Sequence, residues 1–471
     1  MEINRSEKQT PMPTQDASIR SHNFSEVALG YTHNMAINEA RRCLHCKNKP
    51  CVSACPVEID IPSFIECVAQ DDMEGAYFVL SASTALPAVC GRVCPQESQC
   101  EGKCVRCHKG ESVAIGRLER YVADWYREHG AKIPSVIVSH AGHVAIIGSG
   151  PSGLTCAGDL RKLGYQVTIY EALHIPGGVL TYGIPEFRLP KQIVQQEIDR
   201  LRASGVEIAT NMVVGKTITV DELLTQGFDA VYIASGAGLP RFMGIPGESL
   251  KGVYSANEYL TRINLMKAHL PGNHTPIAMG RHVAVVGGGN VAMDAARCAM
   301  RLGAETVSIV YRRGIEELPA RKEEVEHAQE EGIGFRTLTN PVAIISDDDG
   351  FVNAMQCVEM TLGEPDESGR RRPVVKAGSE YVFHTDCVIM ALGTSPNPLI
   401  RSTTPGLEMN RYGCIITKDD DGGTSREGVY AGGDAVTGAA TVILAMGAGK
   451  KAARAIDAYV QKNKQVTSAS T

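Results

Sequence analysis

The sequence predicts an α/β chain in which two Rossmann-like dinucleotide-binding domains, one inserted in the other, follow a mainly helical, cysteine-rich domain. Three observations carry this. Two complete strand–glycine turn–helix–strand units begin at His143 and His282; a strand and Gly-Gly-Asp turn return at Val429 to Asp434; and ten of the fifteen cysteines fall between Cys43 and Cys107. At 471 residues the chain is too long for one ordinary core, and about two to four domains are expected.

The cysteine-rich part comes first. Cys43-x2-Cys46-x4-Cys51-x3-Cys55-Pro56 is followed by Cys90-x3-Cys94-Pro95, Cys100 and Cys104. In two-cluster ferredoxins the last cysteine of a Cys-Pro run crosses to the other cluster. The same exchange here predicts Cys43, Cys46 and Cys51 with Cys104 on one [4Fe–4S] cluster, and Cys55 with Cys94 and Cys100 on a second. One corner stays open, and Cys90 or Cys107 could fill it. Structural zinc is the competing reading, but the second run has no Cys-x2-Cys before Cys104 to pair with the first. Disulfides are disfavoured, because Met1 to Asn23 is polar and lacks the apolar core of a signal peptide. The chain is expected to be cytoplasmic.

The first βαβ unit reads HVAIIGSGPSGLTCAGDLRKLGYQVTIYE. Gly148 permits the tight turn, Gly150 lets the backbone approach a pyrophosphate, Gly153 lets helix and strand pack, and Pro151 opens the helix whose N-terminus faces the phosphates. Glu171, at the end of the second strand, can accept from a ribose hydroxyl. The second unit reads HVAVVGGGNVAMDAARCAMRLGAETVSIVYRR, with Gly287, Gly289 and Ala292 at the fingerprint positions and Asn290 and Val291 opening the helix. Where the first unit ends in an acid, this one ends in Arg312 and Arg313. Two guanidinium groups can clamp a 2′-phosphate, so NADP(H) is expected over NAD(H).

Two fingerprints followed by YAGGDAV predict a flavoprotein with the nicotinamide domain inserted in the flavin domain. Gly433 and Asp434 would reach the flavin ribityl chain, and Thr441 lies just beyond. The expected division is a mobile tail over 1–22 and a helical ferredoxin-like iron–sulfur domain over 23–139. An FAD-binding domain over 140–275 and 385–471 and an NADPH-binding domain over 276–384 complete it. GEPDESGRRRP, residues 363–373, is expected as a solvated hairpin loop on the NADPH domain.

The net charge of −6 is mild, no long block of like charge appears, and no apolar run reaches the roughly 18 residues of a membrane span. Neither nucleic acid nor a membrane is an expected partner. A disulfide reductase would keep a redox cysteine pair against the flavin, whereas Cys156 and Cys298 stand singly on their predicted helices and suit packing.

Longer strings add a resemblance. CGRVCPQ at Cys90, IGRLERY at Ile115, GGVLTYGIPEFRLPK at Gly177, GGGNVAMD at Gly287 and AGGDAVTGAATVILAMGAGKKAA near the end resemble the small subunit of bacterial NADPH-dependent glutamate synthase. The same architecture occurs in the N-terminal half of dihydropyrimidine dehydrogenase and in the flavin subunit of bifurcating ferredoxin:NADP oxidoreductase. The resemblance implies FAD, NADPH and two [4Fe–4S] clusters, with Glu119 of IGRLERY closing the open corner and Gly178, Leu180 and Arg188 near the flavin. It leaves Cys67, Cys90 and Cys107 without a duty.

It also implies a hetero-oligomer in which electrons pass to an FMN-containing large subunit that makes glutamate from 2-oxoglutarate and glutamine. An amidotransferase of that kind needs an N-terminal cysteine nucleophile, and here the sequence opens Met1-Glu2 with its first cysteine at Cys43. The chain is therefore expected to supply electrons, by positioning cofactors and not through a dedicated general base.

Overall fold

The computed structural model describes residues 3–130, 141–277, 279–367 and 369–469, so the expected boundary at 139/140 falls outside them. Five strands make the first parallel sheet, in the order Val429–Ala431, Ala230–Ile233, His143–Ile147, Gln166–Tyr170, Val206–Ala209. A second parallel sheet runs Val253–Ser255, Cys387–Met390, His282–Val286, Thr306–Val310, Gly334–Arg336. The strand that closes the first sheet thus comes after the whole of the second, which is the interleaving that the late Gly-Gly-Asp turn predicts. Helices cover the sheets, and Ala230–Ile233 and Cys387–Met390 are buried at every residue. Strands shielded on both faces read as unbroken apolar runs for that reason.

Thr339–Ser346, Val352–Pro365, Arg371–Val375 and Tyr381–His384 form an antiparallel sheet on the second domain. The 363–373 stretch is a hairpin, as expected, with Val352–Pro365 pairing Arg371–Val375.

The cysteine-rich part is built on the helices Ile61–Ala69, Met73–Ser83, Pro87–Val93 and Ile115–His129. Asp72 caps the second by accepting from Gly75 N. Phe64, Leu80, Leu86, Leu118 and Val122 join Val144, Ile146, Leu154 and Met446 in one continuous core. The head is therefore fused to the first Rossmann domain by shared apolar packing.

Residues 1–22, expected to be a mobile tail, are instead laid along the body from Ile3 onward. Asn4 N donates to Arg41 O at 3.0 Å, Thr10 N to Glu39 Oε2 at 2.7 Å, and Arg20 Nε to Glu331 Oε1 at 3.0 Å. Buried cations explain the difference. Arg42 is fully buried, and the carbonyls of Ser6 and Glu7 are among the acceptors its guanidinium needs. A polar segment that docks by its backbone leaves no hydrophobic period to read.

Candidate redox site

Cys43, Cys46, Cys51 and Cys104 line one small cavity with Leu44, Ile61, Ile65 and Val105. Cys43 and Cys46 come from the loop before the short helix Pro50–Ser53, which carries Cys51, and Cys104 is brought to them by the turn that precedes the short helical segment Val105–Lys109. Burial pushes the Cys43 and Cys51 thiols up to about 11, with Cys104 adding repulsion to each.

The second group gathers deeper. Cys94 and Cys100 are buried, Cys55 is half-buried, and Glu119 is 5% exposed on the helix Ile115–His129. Burial raises Cys55 to about 11, with Glu119 and Cys90 adding repulsion. A hydrogen bond from Cys90 and then burial raise Cys94, while burial, with Cys55 and Glu119 among its neighbours, raises Cys100. Burial also holds Glu119 well above the carboxylate range, and its Oε1 has no hydrogen-bond partner.

An orphaned buried carboxylate oxygen beside three thiols suits a positive iron corner, which would supply the missing compensation. Among the described residues no three such side chains converge as a single ion requires. A cubane spreads its ligands more widely than zinc with its bonds of about 2.3 Å. Both groups fit a cluster of that kind. Cys90 lies beside the second group, with its Sγ 3.6 Å from Met446 Sδ; Cys67 is half-buried and Cys107 exposed.

At the first dinucleotide turn the three glycines differ as the fingerprint requires. Gly148 has φ +103°, and a Cβ there would meet Ala234 O at 2.5 Å; one at Gly153 would meet Gly148 O at 2.0 Å. A Cβ at Gly150 would meet nothing within 4 Å, so that backbone faces open space. The second turn repeats the pattern: Gly287 has φ +142° and a Cβ there would meet Ala391 O at 2.4 Å, while one at Gly289 would meet nothing within 4 Å. These are cradles in which backbone can approach a pyrophosphate, each at a helix N-terminus, Pro151–Lys162 and Asn290–Arg301.

Glu171 is buried and accepts from Ser149 N and Leu173 N at 2.9 and 2.8 Å, so it also fixes the turn. Gly178, with φ +54°, brings its loop against the same turn, since a Cβ there would meet Gly150 Cα at 2.8 Å. Leu180 is fully buried, and its carbonyl accepts from Lys191 Nζ at 3.0 Å. Asp434, at the start of Asp434–Thr437, is raised to about 6 by burial and accepts from Ala440 N. Gly433 packs on Ser152, which sets this turn beside the first dinucleotide turn. Thr441 precedes the long helix Val442–Ala469.

Three predicted residues, Arg188, Arg313 and Asn290, are engaged in ways their sequence does not reveal. Arg188 Nη1 donates to both oxygens of Asp294 at 2.8 Å, and its Nε lies 2.8 Å from Glu324 Oε1, so this guanidinium clasps the inserted domain. Arg312 is exposed, whereas Arg313 is buried and paired with Asp366 of the hairpin, so the two arginines diverge. Asn290 Oδ1 accepts from Arg321 N at 2.9 Å, while its neighbour Val291 is exposed.

Sequence reasoning missed Tyr182, whose hydroxyl is raised to about 12 by burial and then by the charges of Asp434 and Glu171. It also missed Arg321, which donates to Arg92 O and Gln96 Oε1 and so joins the inserted domain to the head. Neither stands at a recognisable spacing. Cys156 and Cys298 are fully buried, as packing residues are.

Residues 20–131 match the family described as dihydropyrimidine dehydrogenase domain II, 4Fe-4S cluster, and residues 142–453 match pyridine nucleotide-disulphide oxidoreductase. The chain is 39% identical over 437 residues to the β subunit of NADP(+)-dependent formate dehydrogenase from Moorella thermoacetica, covering 88% of this chain and 60% of that one. With the glutamate synthase [NADPH] small chain it is 36% identical in Halomonas elongata and 35% in Escherichia coli K12, covering 94% of this chain and 95% of each relative. Among solved structures, Mycobacterium tuberculosis FprA in complex with NADPH superposes with a TM-score of 0.59 at 21% identity, over 69% of this chain and 86% of that one. Lactococcus lactis thioredoxin reductase in its FR conformation gives 0.52 at 23% identity, over 68% and 99%. These two share the fold. Among the described residues no single helix is long and apolar enough to cross a membrane. An iron–sulfur head fused to two dinucleotide domains, matched by those small chains over 94% of this chain, means that the chain belongs to the glutamate synthase small-chain family of NADPH-dependent flavin and iron–sulfur oxidoreductases.

Proposed function

We propose that this chain is the electron-input subunit of a larger enzyme, oxidising NADPH and delivering electrons one at a time to a companion subunit. The observation that carries it is that the immediate neighbours of the second ligand group (Cys55, Cys94, Cys100 and Glu119), namely Pro56 and Cys90, pack against the last helix of the first Rossmann domain. Gly447 of that helix would press a Cβ on Pro56 O at 2.8 Å, and Met446 touches Cys90. Bound FAD would accept one hydride, a pair of electrons, from NADPH and release the two electrons singly to the clusters.

The chain's own residues bind and position. The turns at Gly150 and Gly289 would receive the two pyrophosphates, Arg312 would meet the 2′-phosphate, and Asp434 and Tyr182 would stand near the flavin. The Arg188 clasp holds the inserted domain to the first dinucleotide domain, and the Arg321 bridge holds it to the head. Cys43, Cys46, Cys51 and Cys104 hold one cluster; Cys55, Cys94, Cys100 and Glu119 hold the other.

The favoured destination is an FMN-containing large subunit that makes glutamate from 2-oxoglutarate and glutamine, because the glutamate synthase small chains match this chain over nearly their whole length. The formate dehydrogenase subunit extends well beyond it. Purification of the native complex tests this. A companion with a glutaminase domain is expected; a pyrimidine-binding barrel or a ferredoxin reductase partner would move the assignment to dihydropyrimidine dehydrogenase or ferredoxin:NADP oxidoreductase.

A further inference from the structure

The loops around the first cysteine group carry a charge opposite to that of the chain. Residues 41–49 read RRCLHCKNK and 103–109 read KCVRCHK, seven Lys and Arg without one carboxylate, in a chain of net charge −6. The fold brings these loops together, since Cys43, Cys46, Cys51 and Cys104 line a single cavity.

Three of the seven cations are neutralised or occupied. Arg42 pairs with Glu39, Lys49 pairs with Asp60 at 2.9 Å, and Arg106 donates to Ser6 O. Arg41, Lys47, Lys103 and Lys109 are exposed and form no ion pair with described residues. Between them Leu44 and Val105, 45% and 38% exposed, lie at the mouth of the cysteine cavity. An apolar centre with a charged rim is the anatomy of a protein interface.

The second ligand group offers no such exit. Cys94, Cys100 and Glu119 are buried, and Met446 packs on the adjacent Cys90. Of the two groups, the first lies nearer solvent.

We infer that the basic, apolar-centred face formed by 41–49 and 103–109 is the electron exit, and that it docks an acidic patch surrounding the redox centre of the accepting protein. The inference rests on the relay proposed above and adds the surface and the partner's charge. Unpaired cations on such a face steer an acidic partner into contact and speed encounter ten-fold or more, an effect that salt removes. A lipid surface is the poorer fit, because the cations sit on short loops and not on an amphipathic helix.

Binding of the anaerobically purified full chain to immobilised cytochrome b5, an acidic one-electron carrier, and to cytochrome c, a basic one, tests this. The chain is expected to bind cytochrome b5 and not cytochrome c, with salt weakening the contact. The triple variant Lys47→Glu, Lys103→Glu, Lys109→Glu should bind cytochrome b5 at least about ten-fold more weakly; the Lys→Gln triple variant should fall between. NADPH-driven reduction of cytochrome b5 should follow the same order.

Iron content and NADPH-driven reduction of menadione, a small neutral quinone, report whether each variant is intact and whether the relay itself exists. They should match the parent. Equal binding of cytochrome b5 by parent and triple variants, no binding by the parent, or capture of phosphatidylserine-rich vesicles in its place would overturn the inference. Loss of menadione reduction in the parent would instead strike at the relay.

Discussion

Cys90 Sγ lies 3.6 Å from Met446 Sδ, joining the helix Pro87–Val93 of the head to the last helix of the first Rossmann domain. This sulfur contact sits beside Cys55, Cys94, Cys100 and Glu119, so the deeper ligand group is held by the same packing that fuses head and domain. On the proposed assignment Cys90 is a packing residue and Glu119 the fourth ligand. Cys90→Ala is expected to keep about eight irons per chain, whereas Glu119→Ala should lose about half of them. Iron and sulfide analysis of the two variants checks this, and the reverse pattern would make Cys90 the ligand.

Arg188 is buried against two carboxylates of the inserted domain. Removing it strands Asp294 without its ion-pair partner and leaves Glu324 only Arg297. Arg188→Ala is expected to cost roughly 3 to 5 kcal/mol in denaturant unfolding. A cost no larger than that of an exposed arginine would show that the clasp contributes nothing.

Arg312 is free to meet a 2′-phosphate, while Arg313 is held by Asp366. Arg312→Ala is expected to raise KM for NADPH about ten-fold or more, as loss of a charged hydrogen bond worth about 1.5–3 kcal/mol implies, and to leave NADH kinetics unchanged. Arg313→Ala should act chiefly through stability. Steady-state kinetics with both nucleotides, beside thermal unfolding, separates the two effects.

Glu197 is buried on the helix Lys191–Ala203, and burial raises its carboxyl from 4.5 to about 7. The folded chain holds a proton there that the unfolded chain releases, so this group's contribution to stability falls as pH rises from about 4.5 to about 7. Glu197→Gln carries no such penalty. Its advantage over the parent should grow across that window by up to about 3 kcal/mol, read by denaturant unfolding on either side of it. An advantage that shrinks with rising pH would reverse the sign.

What could be read from the sequence was local. Gly148, Gly150 and Gly153 announce their turn because each role depends on neighbours within one βαβ unit, and the structure separates tight positions from open ones as the fingerprint requires. The late Gly433-Asp434 turn betrays the domain insertion, because a strand must return to complete the first sheet. The Arg188 clasp, the Arg321 bridge and the docking of residues 3–22 unite groups up to hundreds of positions apart through polar contacts that follow no period. Arg312 and Arg313 look equivalent as a pair, and only the hairpin carrying Asp366 tells them apart.

An anaerobic preparation of the full chain, assayed for iron and titrated with NADPH in a visible spectrum, bears on the whole relay at once. About eight irons per chain and a broad brown absorbance that NADPH bleaches together with flavin peaks are expected. A colourless, iron-free protein, or clusters that NADPH leaves oxidised while the flavin is reduced, would contradict it.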